Sequence, residues 1–382
     1  MDFRLTEEQQ MIQDMSRKFS DDVIAPRAEE FESTGKYPYD IVGQMADLGM
    51  MGIPFPEKYG GSGGDWVGLH LCIEEIARGD TALAGLLEVS TAIVAQELYK
   101  FGTEEQKQKW MIPIVQGKEI GAFGLTEAGA GSDAGATKTT AVLDGDEWVV
   151  NGTKQFITNI GHDDASIIII TAQTKAAEEG KRAIINTFII PKNTPGFTLG
   201  KKYDKIGERH AGTHECIFED CRIPKSYSLG EEGKGLGQHL AVLETGRICI
   251  AAMCVGLAQA CFDASIKYAK ERVQFKKPIY SFQGVSFKIA DMAMHIELAR
   301  NMYLKAAWLK DNNMPHTLEA SYAKLFASEM CEKVARDACQ IHGGYGFMDE
   351  YAVSRYYRVS RLFPIVEGTS EVLRIVISRN LE

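Results

Sequence analysis

Long apolar runs are missing from this sequence. None approaches the roughly 18 residues that a bilayer-spanning helix requires, and the longest candidate, Ile167 to Ile170 with its neighbours, reads as a buried strand. Basic charge is also scarce: 42 Lys and Arg stand against 52 Asp and Glu, a formal net charge of −10. That argues against a general binder of nucleic acid or anionic membrane, since both need basic surface, but leaves room for a local basic pocket that holds a phosphorylated ligand. The eight cysteines (72, 216, 221, 249, 254, 261, 331 and 339) are scattered without a Cys-x-x-Cys pair, so reduced thiols in a reducing compartment are expected. The first residues, Met1-Asp2-Phe3-Arg4-Leu5-Thr6, lead directly into a helical pattern. They show neither a secretory apolar core nor an Arg- and Ser-rich transit sequence, and the expected location is the cytoplasm. No solenoid repeat or low-complexity segment stands out.

What is present is ordinary globular material, 45% hydrophobic, 25% charged and 9% aromatic over 382 residues, enough for two or three domains. Its patterning divides into three blocks. Residues 1–117 read as helices. Thr6-x-x-Gln9 and Thr103-x-x-Gln106 resemble capping boxes, and Pro54, Pro56 and Tyr59-Gly60-Gly61-Ser62-Gly63-Gly64 mark a loop between them. Residues 118–230 carry strand-like runs at 120–125, 139–143, 147–150, 166–172, 184–190 and 214–218. Turn signals such as Asp144-Gly145-Asp146 separate them, and the pattern suggests an antiparallel sandwich or barrel. Residues 231–382 return to helical periodicity near 236–271, 283–311, 317–340 and 370–380, as in an up-down four-helix bundle.

Gly129-Ala130-Gly131-Ser132-Asp133-Ala134 nearly matches a dinucleotide fingerprint. A Rossmann loop opens a helix, whereas the residues after this one, Thr137 to Leu143, alternate like a strand. The segment therefore reads as a loop between strands, whose backbone N–H groups and the hydroxyls of Thr126 and Ser132 suit phosphate or flavin atoms.

Five segments in order resemble the acyl-CoA dehydrogenase family: Leu125-Thr-Glu-Ala-Gly-Ala-Gly-Ser-Asp133, Asn151-Gly-Thr-Lys-Gln-Phe-Ile-Thr-Asn159, Arg272-Val-Gln-Phe275 with Phe282-Gln283, Gln340-Ile-His-Gly-Gly-Tyr-Gly346, and Glu367-Gly-Thr-Ser-Glu371. The resemblance spans essentially the whole chain. It implies an N-terminal helical domain, a middle antiparallel β domain and a C-terminal four-helix bundle, assembled as a homotetramer that is a dimer of dimers. It further implies FAD between the β domain and the bundle, completed by a neighbouring subunit. On the flavin side it puts Phe123, Leu125, Thr126, Gly131, Ser132, Phe156, Ile157 and Thr158. To the pyrophosphate and adenine of a partner subunit's FAD it assigns Arg272, Gln274, Phe275 and Gln283, with Gln340, Gly343, Gly344, Thr369 and Glu371 completing the adenine-dinucleotide site. Arg272 offers a fixed fork of donors for phosphate.

Oxidising a thioester between Cα and Cβ needs a base for the α-proton, donors for the enolate-like oxygen and a hydride acceptor, which no side chain supplies. The resemblance makes Glu367 the base, its own backbone N–H part of the oxyanion site, and an electron-transfer flavoprotein the electron acceptor. An apolar acyl chain would exclude water and strengthen such a base. Arg247 matches a position that binds the CoA portion of an acyl-CoA substrate, and Ser132, Glu244 and Gly368 join it. Gly246 stands where a minority of relatives carry their base. The chain departs from the family at Val366 (commonly Tyr), Phe156 (Trp), Ala128 (Pro) and Glu244 (Asp). Over residues 82–98, helical spacing puts Ala84, Glu88, Thr91 and Ala95 on one face. With Glu88, Thr91 and Val366 bordering the substrate, a short, branched, cyclic or polar acyl group is expected. An acyl-CoA oxidase or enoyl-CoA reductase on the same scaffold, or a non-catalytic binding relative, is the alternative.

Overall fold

The structure, a computed structural model, describes residues 4–177 and 183–381; Met1 to Phe3 lie outside the described residues. Helix α1 (Glu7–Phe19) opens with the predicted box, Thr6 Oγ1 accepting from Gln9 N at 3.2 Å and Gln9 Oε1 from Thr6 N at 3.0 Å. The same exchange operates at Thr103 and Gln106. Helix α2 (Trp66–Gly79) is capped by Asp65. Asp80 then caps the next helix, α3 (Thr81–Phe101), through Leu83 N at 3.0 Å. Helix α3 is not uniform: Leu87–Ala95 winds as a π-helix between two α-helical ends. A π turn resets the register, so the single face drawn through Ala84, Glu88, Thr91 and Ala95 does not persist, and all four are buried.

The middle of the chain is one sheet. Its strands are β1 (Ile120–Gly124), β2 (Thr140–Asp144), β3 (Glu147–Thr158), β4 (Ala165–Lys175), β5 (Ile184–Pro191), β6 (Phe197–Lys202), β7 (Thr213–Pro224) and β8 (Ser228–Leu229). The order is β6-β7-β3-β2-β4-β5-β8, with β1 on β4. Pairing is mostly antiparallel as expected, but β1 runs parallel to β4 over Ile120–Gly124, and β2 touches β4 in parallel at Thr140. Strands β6 and β8 escape the sequence pattern because both are short and half polar. The sheet buries Ile167–Ile170 completely on β4, as befits an inner strand covered on both faces.

The C-terminal part holds α4 (Gly235–Glu271), α5 (Gln283–Asp311), α6 (Thr317–His342), α7 (Ala352–Ser360) and α8 (Ser370–Arg379), with the hairpin Val273–Gln274 and Lys277–Pro278 between α4 and α5. The sequence pattern missed α7. Helix α4 is apolar on nearly every side and runs through the core, the expected place for such a helix. Helices α3 and α4 are long and apolar enough to cross a membrane, which corrects the reading that no apolar stretch reaches that length; their most apolar windows are 89% and 83% buried inside the protein. Ion pairs tie the helical parts together: Arg300 on α5 meets Glu74 on α2 at 2.8 Å, and Arg17 on α1 meets Glu75 at 2.6 Å. All eight cysteines are free.

Candidate active site

Glu367 sits in the tight segment between Pro364 and α8. Thr369 caps α8 by accepting from Val372 N at 3.2 Å, and Ser370 N reaches back to Pro364 O at 3.0 Å. Closing so short a loop forces Glu367 to φ +56° and Gly368 to φ +96°. The left-handed region costs a residue with a β-carbon on the order of 1 kcal/mol, so the surrounding structure must hold this turn. Lys324 on α6, fully buried, donates from Nζ to Gly368 O at 2.7 Å.

Glu367 as a residue is half-buried, yet its Oε2 is sealed from solvent and meets no donor among the described residues. Glu88, from the π turn of α3, brings a second buried carboxyl to it, and its Oε1 also lacks a donor. Burial raises the Glu367 carboxyl, and the charges of Arg247 and Lys324 with a hydrogen bond from Glu88 pull it partly back, leaving it at about 7. Burial, then the neighbouring Glu367, drives Glu88 well above the usual range. Two like groups at this range cannot both ionise cheaply, so the pair keeps one proton and Glu88 holds it. Gly246 forms the opposite wall: a β-carbon there would lie 2.6 Å from Glu367 Oε2.

Arg247 is half-buried on α4, its Nε sealed without a partner. Burial lowers its affinity for the proton while Glu367 and Glu244 favour the charged form. Glu244 accepts from Thr317 Oγ1 at 2.5 Å. The hydroxyl of Thr91 is engaged elsewhere, donating to Met51 O at 3.1 Å. Val366 is half-buried against the core.

On the sheet, the Phe123 ring stacks on His239 of α4 at 3.7 Å, and His239 Nδ1 lies 2.9 Å from Glu97 Oε1. Leu125 is half-buried beside Phe123. Thr126 O accepts from Gln155 N at 2.8 Å, which joins the glycine-rich loop to β3. Gly131 and Ser132 are exposed, and β-carbons at Gly129 and Gly131 would meet only open space. Phe156, in a bulge of β3, has φ +61° and is 62% exposed, while Ile157 is buried and Thr158 half-buried. No helix of Rossmann type follows the loop; a single 3-10 turn, Ala134–Ala136, leads to β2.

Two residues quoted in the motifs but given no role turn out to anchor this loop. Glu127 accepts from Lys138 N at 2.6 Å and Thr139 N at 3.1 Å, and pairs with fully buried Lys154 at 2.8 Å. Lys154 also donates to Leu125 O at 3.1 Å. Burial pushes the Glu127 carboxyl up, but Lys154 and these hydrogen bonds outweigh it and hold it at about 2. Lys324 is signalled in the sequence as a lone lysine between Ala323 and Leu325, whereas Lys154, between Thr153 and Gln155, carries no such signal.

Arg272, Gln274, Gly343 and Gly344 line one cavity of about 590 Å³ with Tyr268, His342 and Tyr345. Gly343 has φ +62°, and neither glycine would place a β-carbon against anything. A cation, flat aromatic walls and bare backbone fit the phosphate and purine end of a dinucleotide. Phe275 at the hairpin tip is 87% exposed, Gln283 and Gln340 are exposed, and among the described residues none of strands β1 to β8 lines the cavity. Thr369 and Glu371 lie at the start of α8, where the Thr369 hydroxyl serves as its cap.

Residues 6–118 match the sequence model for the acyl-CoA dehydrogenase N-terminal domain, 122–221 that for the middle domain and 233–382 that for the C-terminal domain. A protein of Bacillus subtilis (strain 168) described as a probable acyl-CoA dehydrogenase, YngJ, is 52% identical over 383 residues, with full coverage of both chains. The solved butyryl-CoA dehydrogenase of Megasphaera elsdenii superposes with a TM-score of 0.96 at 41% identity, again with each chain fully covered. A chain from a structure concerning the electron transferring flavoprotein of Acidaminococcus fermentans gives 0.96 at 43% identity, covering 100% of this chain and 99% of that one.

Proposed function

We start from the fact that this chain belongs to the acyl-CoA dehydrogenase family, FAD-binding oxidoreductases, and propose that Glu367 is its catalytic base and a short acyl-CoA its substrate. The observation that carries this reading is the buried Glu367 carboxylate, walled by Gly246 and raised to about 7. A base of that strength is half ionised near neutrality and strong enough to take a thioester α-proton. Bound FAD would accept the β-hydride as the Cα–Cβ double bond forms. The chain's own part is the rest: Glu367 receives the α-proton, and its backbone N–H is a donor for the developing enolate oxygen. Arg247 and Glu244 fit the CoA portion, and Arg272, Gln274, Gly343 and Gly344 would hold the adenine dinucleotide of FAD.

The substrate reading follows from Glu88. Its buried carboxyl acts on that of Glu367 at close range, so a polar group stands beside the base. Long apolar tails would have to bury that polar group without compensation. A short, branched or cyclic acyl group does not meet this obstacle. The butyryl-CoA dehydrogenase likeness points the same way, and the A. fermentans likeness supports an electron-transfer flavoprotein as acceptor. Exposed Phe275 and the open dinucleotide cavity support a second subunit against this face, as in a homotetramer.

The test is stopped-flow reduction of the FAD-loaded enzyme by butyryl-CoA. Glu367→Gln should retain FAD and thioester binding and lose reduction by a factor of about 10³ or more. Near-normal reduction would place the base elsewhere.

A further inference from the structure

We infer that Lys324 is a positioning residue for proton abstraction: its buried ammonium grips the carbonyl of Gly368 and so fixes the left-handed turn that aims Glu367. This rests on Glu367 being the base. A lysine with no exposed surface is costly to keep in the middle of a helix, because its charge must be desolvated. Here it stands on α6 between Ala323 and Leu325, with its Nζ 2.7 Å from Gly368 O. Within the turn itself, Ile365 N and Val366 N hold Leu362 O at 3.0 and 3.2 Å, and Ser370 N holds Pro364 O at 3.0 Å. Lys324 reaches the turn from another helix, and it acts on the residue directly after Glu367, where φ is +96°. Without it, Gly368 is the natural place for the strain to relax, since glycine crosses φ space at little cost.

The same ammonium acts through space. The groups facing Glu367 are Glu88 from α3, Arg247 and Cys249 from α4, and Lys324 from α6, with Glu208 acting on Glu88. Arg247 and Lys324 are the cations, and both pull Glu367 down. Burial in turn lowers Lys324 to about 8, with Cys254 and Glu367 favouring its charged form. Lys324 thus supplies two separable things, a donor for a carbonyl and a positive charge.

Two substitutions in the FAD-loaded enzyme separate them. Lys324→Gln keeps a donor and loses the charge; Lys324→Met loses both. Each is measured for FAD content, thermal unfolding, the pH dependence of reduction by butyryl-CoA, and proton uptake on binding an unreactive butyl-CoA thioether. Gln should keep the wild-type rate plateau, with its acid limb and the proton-uptake curve moved to higher pH. Met should show the same move and a plateau lower by about 10- to 100-fold, the scale of a misplaced reacting group. Equal plateaus for Met and Gln, or an unmoved acid limb in both, overturn the proposal. If Met fails to hold FAD, Gln decides alone: a lost plateau in folded Gln protein overturns it. If neither variant folds, Lys324 is purely structural and the proposal fails. Failure of the base reading shows separately, as activity in Glu367→Gln with Lys324 untouched.

Discussion

Gly246 and Glu367 are in contact through the absence of a side chain: a β-carbon at Gly246 would fall 2.6 Å from Glu367 Oε2 and 2.8 Å from Ile93 Cδ1. Contacts under 3 Å cannot be absorbed without movement, and the carboxylate is the freest of these groups to move.

Gly246→Ala should therefore divide stability from activity. Within helix α4 alanine is favoured over glycine by about 1 kcal/mol, so thermal unfolding should stay level or rise. Displacing Glu367 should lower the rate of flavin reduction by on the order of 10²-fold, with FAD content unchanged. An alanine variant that reduces its flavin at the wild-type rate would show that the carboxylate is not confined here.

That relationship joins residues 121 positions apart, and it shows where the sequence stops being informative. Local chemistry was readable: both capping boxes, six of the strands and the long C-terminal helices follow from periodicity and turn residues. The candidate base was readable only through its motif. What the sequence hid was non-local. The parallel docking of β1 on β4 depends on which strands meet. The π turn at Leu87–Ala95 breaks the 3.6-residue period from which a face of α3 was drawn. It turns Thr91 toward Met51 and brings Glu88 to Glu367. Glu127 and Lys154 are ordinary charged residues until the fold buries them together.

The Glu88–Glu367 pair sets a pH profile. Glu367 must be ionised to act, so reduction should rise with pH through about 7, its value in the folded protein. Glu88, held protonated, donates to Glu367 and stabilises the ionised base. Glu88→Ala removes that donor, so the acid limb should move to higher pH, while the vacated space admits longer acyl chains. Glu88→Gln keeps a donor and should leave the limb nearly in place. A panel of straight, branched and alicyclic acyl-CoAs measured across pH checks both effects. A wild-type optimum at long straight chains, or the same chain-length profile in Glu88→Ala, would remove Glu88 from the acyl pocket.

Lys154 offers the clearest stability test, because its partner's ionisation can be followed. Glu127 is held at about 2, below its ordinary value. A depressed carboxylate stabilises the fold fully above its unfolded value and loses that contribution as pH falls through the folded one. The wild-type pair should thus be intact from neutrality to about pH 5 and fail only in stronger acid. Lys154→Met leaves Glu127 buried with three hydrogen bonds, from Thr137 Oγ1, Lys138 N and Thr139 N, but no counter-charge. The cost at neutral pH should be about 3 kcal/mol, as for other buried pairs broken on one side. The acid transition should move to higher pH, because Glu127 then protonates sooner. The loop 125–133 should loosen as well, since Lys154 also holds Leu125 O, and FAD should be lost more readily. Adding Glu127→Gln removes the stranded charge and should recover part of the stability. Urea unfolding at pH 7 and pH 5, with flavin release followed by fluorescence, gives all three readings. A single variant as stable as wild type at pH 7 would mean that solvent reaches Glu127, and the pair would not be what anchors the loop.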